Sequence, residues 1–87
     1  MATKRKRKRS HIRVVEKKLG QERAWGTSDT TGLIELDERL GEADRLTVLV
    51  HEGIHVADPE LTEAHVCRLG KVLGPLLWSQ GYRRTLQ

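Results

Sequence analysis

Cysteine and aromatic residues are scarce in this chain of 87 residues, which has one cysteine, Cys67, and no phenylalanine. A single cysteine cannot form an intramolecular disulfide, which favours a reducing compartment. The aromatic side chains are Trp25, Trp78 and Tyr82, so aliphatic side chains must fill the core. No apolar run reaches the roughly 20 residues that cross a bilayer, and no apolar segment follows the basic start as in a signal peptide. We therefore expect one small cytoplasmic domain without a membrane segment.

Positive charge is concentrated at one end of the chain. Residues 4–9 are alternating lysine and arginine, and without those six the remaining ten basic groups face twelve acidic ones. Six adjacent like charges repel one another and offer no apolar periodicity, so we predict a disordered basic arm over residues 1–10 and a folded domain over residues 11–87. Such an arm can attach to nucleic acid by neutralising phosphates without reading sequence, or it can simply be a solubilising terminus.

The segment before the middle of the chain has the pattern of a small sheet. Residues 11–19 are rich in β-branched residues that alternate with charged ones, residues 23–27 allow a second strand, and Leu33 to Leu36 reads as a further strand. Residues 28–32 have the Ser, Asp, Thr and Gly composition of a turn. We predict two or three antiparallel strands.

Two helices follow in the predicted order of elements, which makes the fold α+β. Apolar residues at three-and-four spacings and acids in the first turn predict a helix over residues 42–57, which ends before Pro59. Thr62 is a suitable N-cap for a second amphipathic helix. Pro75 lies inside that helix, where it removes a hydrogen bond and clashes with the previous turn, so we expect a kink or a break there.

The first helix carries the pattern H-E-x-x-H as His51, Glu52 and His55. Residues four apart on a helix lie almost above one another, so the two imidazoles can bind one metal ion. Glu52 is rotated away from them, which suits a general base that acts on a metal-bound water. The simpler alternative is a buried helix with two incidental histidines. We expect Zn²⁺ at this motif.

A catalytic zinc usually takes three protein ligands and a water, so a third ligand is needed. The candidates are Glu63 and His65, with Glu60 as a weaker one, because the second helix must pack back against the first. Glu63 shares a helix face with Val66 and Gly70, and that face is expected to meet the first helix. Glu63 is therefore favoured, and His65 stays open.

The sequence TVLVHEGIHVADPELTE at residues 47–63, together with LLWSQGY at residues 76–82, resembles the zincin metallopeptidases of the gluzincin type, and more narrowly small metallopeptidases of phages and bacteria. The resemblance implies a sheet that covers the active-site helix, zinc bound by His51 and His55, and Glu52 as the base. The eight-residue step from His55 to Glu63 is shorter than in that type. A location in a bacterial or phage-infected cell follows from the same resemblance.

Three functions fit these patterns. The first is a minimal zinc peptidase that hydrolyses a peptide or protein, with the strand from Leu33 to Leu36, placed at a sheet edge, holding the substrate as an added strand. The second is a non-catalytic module in which zinc is structural and the arm binds nucleic acid. The third is an assembly protein whose motif is incidental. The patterns indicate no oligomeric state.

Overall fold

A computed structural model describes residues 11–20 and 25–85. The predicted basic arm lies outside these residues. The elements are, in chain order, β1 (Arg13–Lys17), β2 (Gly26–Ser28), β3 (Leu33–Asp37), α1 (Glu42–Ala57) and α2 (Glu63–Ser79). A small three-stranded sheet is followed by two helices, so the predicted α+β class is confirmed.

The sheet is mixed, and the prediction of a wholly antiparallel sheet is wrong for β1. The strand order is β1-β3-β2, in which β3 pairs antiparallel with β2 but parallel with β1. The third strand inserts between the first two because its side chains Ile34 and Leu36 are almost completely buried, whereas every residue of β1 is exposed. The most apolar strand thus takes the centre, where both of its edges are hydrogen-bonded. The placement of Leu33 to Leu36 at a sheet edge is therefore also wrong.

A tight turn at residues 28–32 joins β2 to β3, as the composition predicts. The Asp29 carboxylate accepts hydrogen bonds from the Thr31 hydroxyl at 2.6 Å, the Thr31 backbone N–H at 2.8 Å and the Leu33 N–H at 3.1 Å. These bonds, the hydroxyl's first, lower the pKa of Asp29. Gly32 closes the turn at a φ of 95°, which a residue with a side chain rarely adopts. The turn brings β3 back antiparallel to β2.

Helix α1 has the predicted bounds, and it packs against the sheet on one side and α2 on the other. Between the helices the closest approach is at Gly74, where an added Cβ would lie 2.7 Å from the Thr47 Cα. One turn earlier, at Gly70, the same atom would lie 3.4 Å from the His51 Cβ. Because neither glycine has a side chain, α2 can lie directly against the face of α1 that carries Thr47 and His51.

Helix α2 begins as predicted, with the Thr62 hydroxyl accepting a hydrogen bond from the His65 N–H at 3.1 Å. Pro75 does not end the helix, which continues to Ser79. Of the predicted kink or break, the break is wrong, because the packing of α2 against α1, closest at Gly74, outweighs the hydrogen bond lost at one proline. Neither helix, among the residues described, is sufficiently long and apolar to cross a membrane.

Candidate metal centre

The two motif histidines lie side by side near the end of α1. The ring centroids of His51 and His55 are 5.0 Å apart at an interplanar angle of 64°. Their side chains are 20% and 25% exposed, so both rings are held by packing while one edge reaches solvent. This is the arrangement that one-turn spacing predicts.

Glu63 joins them from the first turn of α2. Its Oε1 lies 2.7 Å from His55 Nε2, and its Oε2 lies 3.2 Å from His51 Nε2. The hydrogen bond to His55, opposed by partial desolvation and assisted by the charge of His51, lowers the pKa of the Glu63 carboxyl. The carboxylate thus bridges the two imidazoles through the same nitrogens that would face an ion.

These three side chains form a group whose potential ligand atoms lie within 4.8 Å of one another. Within residues 11–20 and 25–85, no fourth His, Cys, Asp or Glu belongs to this group, so neither His65 nor Glu60 does. Two imidazole nitrogens and one carboxylate oxygen are a donor set that suits zinc at a site that keeps an open position. The same contacts could also be a metal-free ion-pair cluster, which metal analysis distinguishes.

Glu52 lies outside this group of three and contacts the sheet. It is only 8% exposed, and its Oε1 accepts a hydrogen bond from the Ser28 hydroxyl at 2.7 Å. The strand can come this close because Gly26 has no side chain: a Cβ there would lie 2.5 Å from the Val48 Cγ1 and 3.3 Å from the Glu52 Cγ. The Glu52 carboxylate is therefore held next to the three candidate ligands without belonging to their group.

Sequence reasoning did not identify Ser28 and Gly26 as site residues. Ser28 is of a residue type that is common in turns, and its partner Glu52 lies 24 positions away in the sequence. No local pattern joins the two, because the contact depends on how β2 crosses α1. The one available signal was Gly26, because a glycine in a strand can mark the close approach of another backbone or side chain.

The four side chains open into a cleft with two adjoining cavities, both of which Glu63 borders. The first cavity has a volume of about 540 Å³ and is bordered by β2, the turn after it and the end of α1. The second has about 360 Å³ and lies between Trp25, α1 and α2. Both cavities are lined by Gly26, His51, Glu52 and Glu63. The cleft therefore passes directly over the candidate metal centre.

The chain matched no family model, no curated protein and no solved structure.

Proposed function

We propose that this chain is a zinc-dependent peptidase, with His51, His55 and Glu63 as zinc ligands and Glu52 as the general base. The observation that carries the proposal is the separation of roles within one cleft. Three potential ligand atoms converge. The fourth ionisable group, the Glu52 carboxylate, is buried beside them and is held by the Ser28 hydroxyl of β2. An incidental pair of histidines would not require this second arrangement.

The donor count supports a catalytic site over a structural one. Structural zinc is closed by four protein ligands, whereas catalytic zinc has three and keeps a position for water or substrate. The part of the chain that the structure describes supplies three. Zinc bound there would lower the pKa of a coordinated water toward neutrality and polarise the scissile carbonyl.

Glu52 borders both cavities beside the candidate ligands, and this supports its proposed role as the general base. It takes a proton from the attacking water and later gives it to the leaving amine. Its burial beneath β2 limits competing solvent, and the Ser28 hydroxyl occupies one carboxylate oxygen, Oε1. The second oxygen, Oε2, would then accept the proton of the water. Since no lysine, arginine or tyrosine lines the first cavity within the described residues, the metal would carry the oxyanion charge.

Among the strands that the structure describes, β2 lies at the edge of the sheet, and this edge offers a place for an extended peptide. The strand pairs with β3, and its residues border the first cavity. A substrate peptide can add to such an edge through main-chain hydrogen bonds. This role, which the sequence suggested for Leu33 to Leu36, moves to β2. We propose a peptide or protein substrate and a cytoplasmic reaction. The nucleic-acid role of residues 4–9 stays a prediction.

The experiment that tests this function compares Glu52→Gln with the wild type on a peptide library. The amide is nearly isosteric and can still accept the Ser28 hydrogen bond, but it cannot accept the proton of water. Zinc content should therefore be unchanged, while hydrolysis falls by about 10²–10⁴-fold. Glu60→Gln is the matched control, because Glu60 is exposed and lies outside the ligand group.

Two results would contradict the proposal. Equal hydrolysis by wild type and Glu52→Gln would remove Glu52 as the base. A zinc-loaded wild type that cleaves no peptide of the library would favour the non-catalytic alternative, in which the metal only stabilises the fold.

A further inference from the structure

The two cavities of the cleft differ in chemistry. The first is bordered by polar residues of β2 and its turn, which are Thr27, Ser28, Asp29 and Thr30. The second is bordered mainly by apolar groups, notably Trp25 and Val48, with Cys67 on the α2 side. A peptide that passes over the metal centre therefore meets a polar surface on one side and an apolar one on the other.

The apolar cavity has room for a large side chain. Its volume is about 360 Å³, and Gly70 contributes no side chain on the α2 side. Trp25 is 53% exposed, so a ligand side chain seated there would remove indole surface from water. Burial of that kind contributes favourably in proportion to the apolar area covered.

Apart from the carboxylates of Glu52 and Glu63, which both cavities share, each cavity has one charged residue of its own, and the two have opposite charges. Lys71 is the one lysine or arginine among the described residues that borders the apolar cavity. It forms no ion pair with any other described residue. Asp29 borders the polar cavity, and the hydrogen bonds of its turn stabilise its ionised form. Glu52 and Glu63 are engaged by other side chains. The ammonium of Lys71 is thus available to a negative group of a ligand.

We propose that the cleft selects peptides in which a large apolar side chain, seated beside Trp25, is accompanied by a carboxylate that Lys71 binds. This inference rests on the proposed peptidase function. The carboxylate can be an acidic side chain or the end of the peptide chain, since the ammonium recognises both in the same way. A lysine or arginine at that place is disfavoured by like-charge repulsion.

Binding of three peptide hydroxamates to zinc-loaded protein tests the inference without catalysis. All three carry a zinc-chelating hydroxamate and a leucine side chain, and they end in an amide, a free carboxylate, or an aspartate amide. We expect the two acidic probes to bind about two- to fivefold more tightly than the neutral probe at low salt, as for a partly exposed ion pair. The preference should disappear near 1 M salt because of screening.

Lys71→Glu should reverse the preference for the acidic probes. Arg68→Glu is the matched control, because Arg68 is exposed on the same helix, undergoes the same charge change and does not border the cavity. Retained preference in Arg68→Glu and reversal in Lys71→Glu would support the inference. Equal effects of the two changes, or no preference in the wild type, would overturn it.

The probes also separate this inference from the proposed function. If the neutral hydroxamate binds the zinc-loaded protein more tightly than the zinc-free protein, but charge makes no difference, the selectivity is wrong and the metal centre stands. If no hydroxamate distinguishes the zinc-loaded protein from the zinc-free one, the metal centre fails, and the selectivity fails with it. If only one acidic probe is preferred, the carboxylate source is the one it carries.

Discussion

Gly74→Ala should destabilise the protein, although alanine is a far better helix former than glycine. The added methyl carbon would lie 2.2 Å from the Thr47 Oγ1, 2.7 Å from its Cα and 2.8 Å from its Cβ. The hydroxyl could rotate away, but the Cα belongs to the backbone of α1, so the helices must separate. The change therefore acts on the contact that holds the two halves of the candidate metal centre together.

The expected magnitude follows from two opposing terms. Overpacking a close contact costs typically about 1–3 kcal/mol, and the backbone position of the clash places this case in the upper part of that range. Replacing glycine by alanine inside a helix contributes about 1 kcal/mol in favour of folding. The net loss is about 1–2 kcal/mol, which for a domain of this size lowers Tm by roughly 5–15 °C.

Gly70→Ala provides the matched control one turn earlier on the same helix. Its added carbon would lie 3.4 Å from the His51 Cβ, which is ordinary van der Waals contact. The helix-propensity gain should then dominate, and the stability should be unchanged or higher by about 0.5–1 kcal/mol. Urea unfolding of both metal-free variants followed by circular dichroism gives the comparison. A Gly74→Ala variant as stable as Gly70→Ala would refute the close helix contact.

Two other changes should have distinct effects. Ser28→Ala should lower the kcat of the proposed peptidase about tenfold, because the loss of this hydrogen bond costs about 1.5 kcal/mol, while zinc content is retained. Ser28→Thr should restore the activity. Ser79→Ala, the same change at an exposed position that borders neither cavity, should change little. Equal kinetics for Ser28→Ala and wild type would argue against the positioning role of that hydroxyl. The nearly buried Asp37 carboxylate accepts hydrogen bonds from the Arg39 side chain at 2.8 Å and its N–H at 2.9 Å, and these bonds hold the pKa of Asp37 far below its usual value. A carboxyl whose pKa is lowered by folding stabilises the protein above its unfolded-state pKa, near 4, and this stabilisation is lost as the pH falls. The urea midpoint should therefore fall between about pH 4 and pH 2. Asp37→Asn should be less stable at pH 7, and its urea midpoint should depend less on pH. An unchanged acid profile in Asp37→Asn would assign the acid sensitivity to other carboxyls.

The helices could be predicted from the sequence because their signals are local. The apolar spacing, the acids of the first turn and Pro59 define α1 at the residues where the structure has it, and Thr62 defines the beginning of α2. The position of Glu63 beside the two histidines could also be predicted, because it depends on features that are local in the sequence. A short connection forces α2 to return along α1, and helix periodicity then selects the face.

The sheet was less predictable because strand pairing is not local. Whether β1 pairs with β2 or with β3 depends on which strand gains most from the centre, and Ile34 and Leu36 decide this only when the helices cover them. The Ser28–Glu52 hydrogen bond depends in turn on the resulting path of β2. The persistence of α2 through Pro75 likewise reflects packing that overrides a local preference.

Metal analysis by mass spectrometry after reconstitution and dialysis tests most directly whether His51, His55 and Glu63 bind one metal ion, as proposed. The wild type should retain one zinc per chain, and a chelator should lower its Tm, because metal binding that accompanies folding stabilises the folded state. His51→Ala and Glu63→Ala should lose the metal, whereas His65→Ala should retain it, since His65 lies on the same helix but outside the group. A wild type that stays metal-free with an unchanged Tm, or a His65→Ala variant that loses zinc as His51→Ala does, would contradict the account.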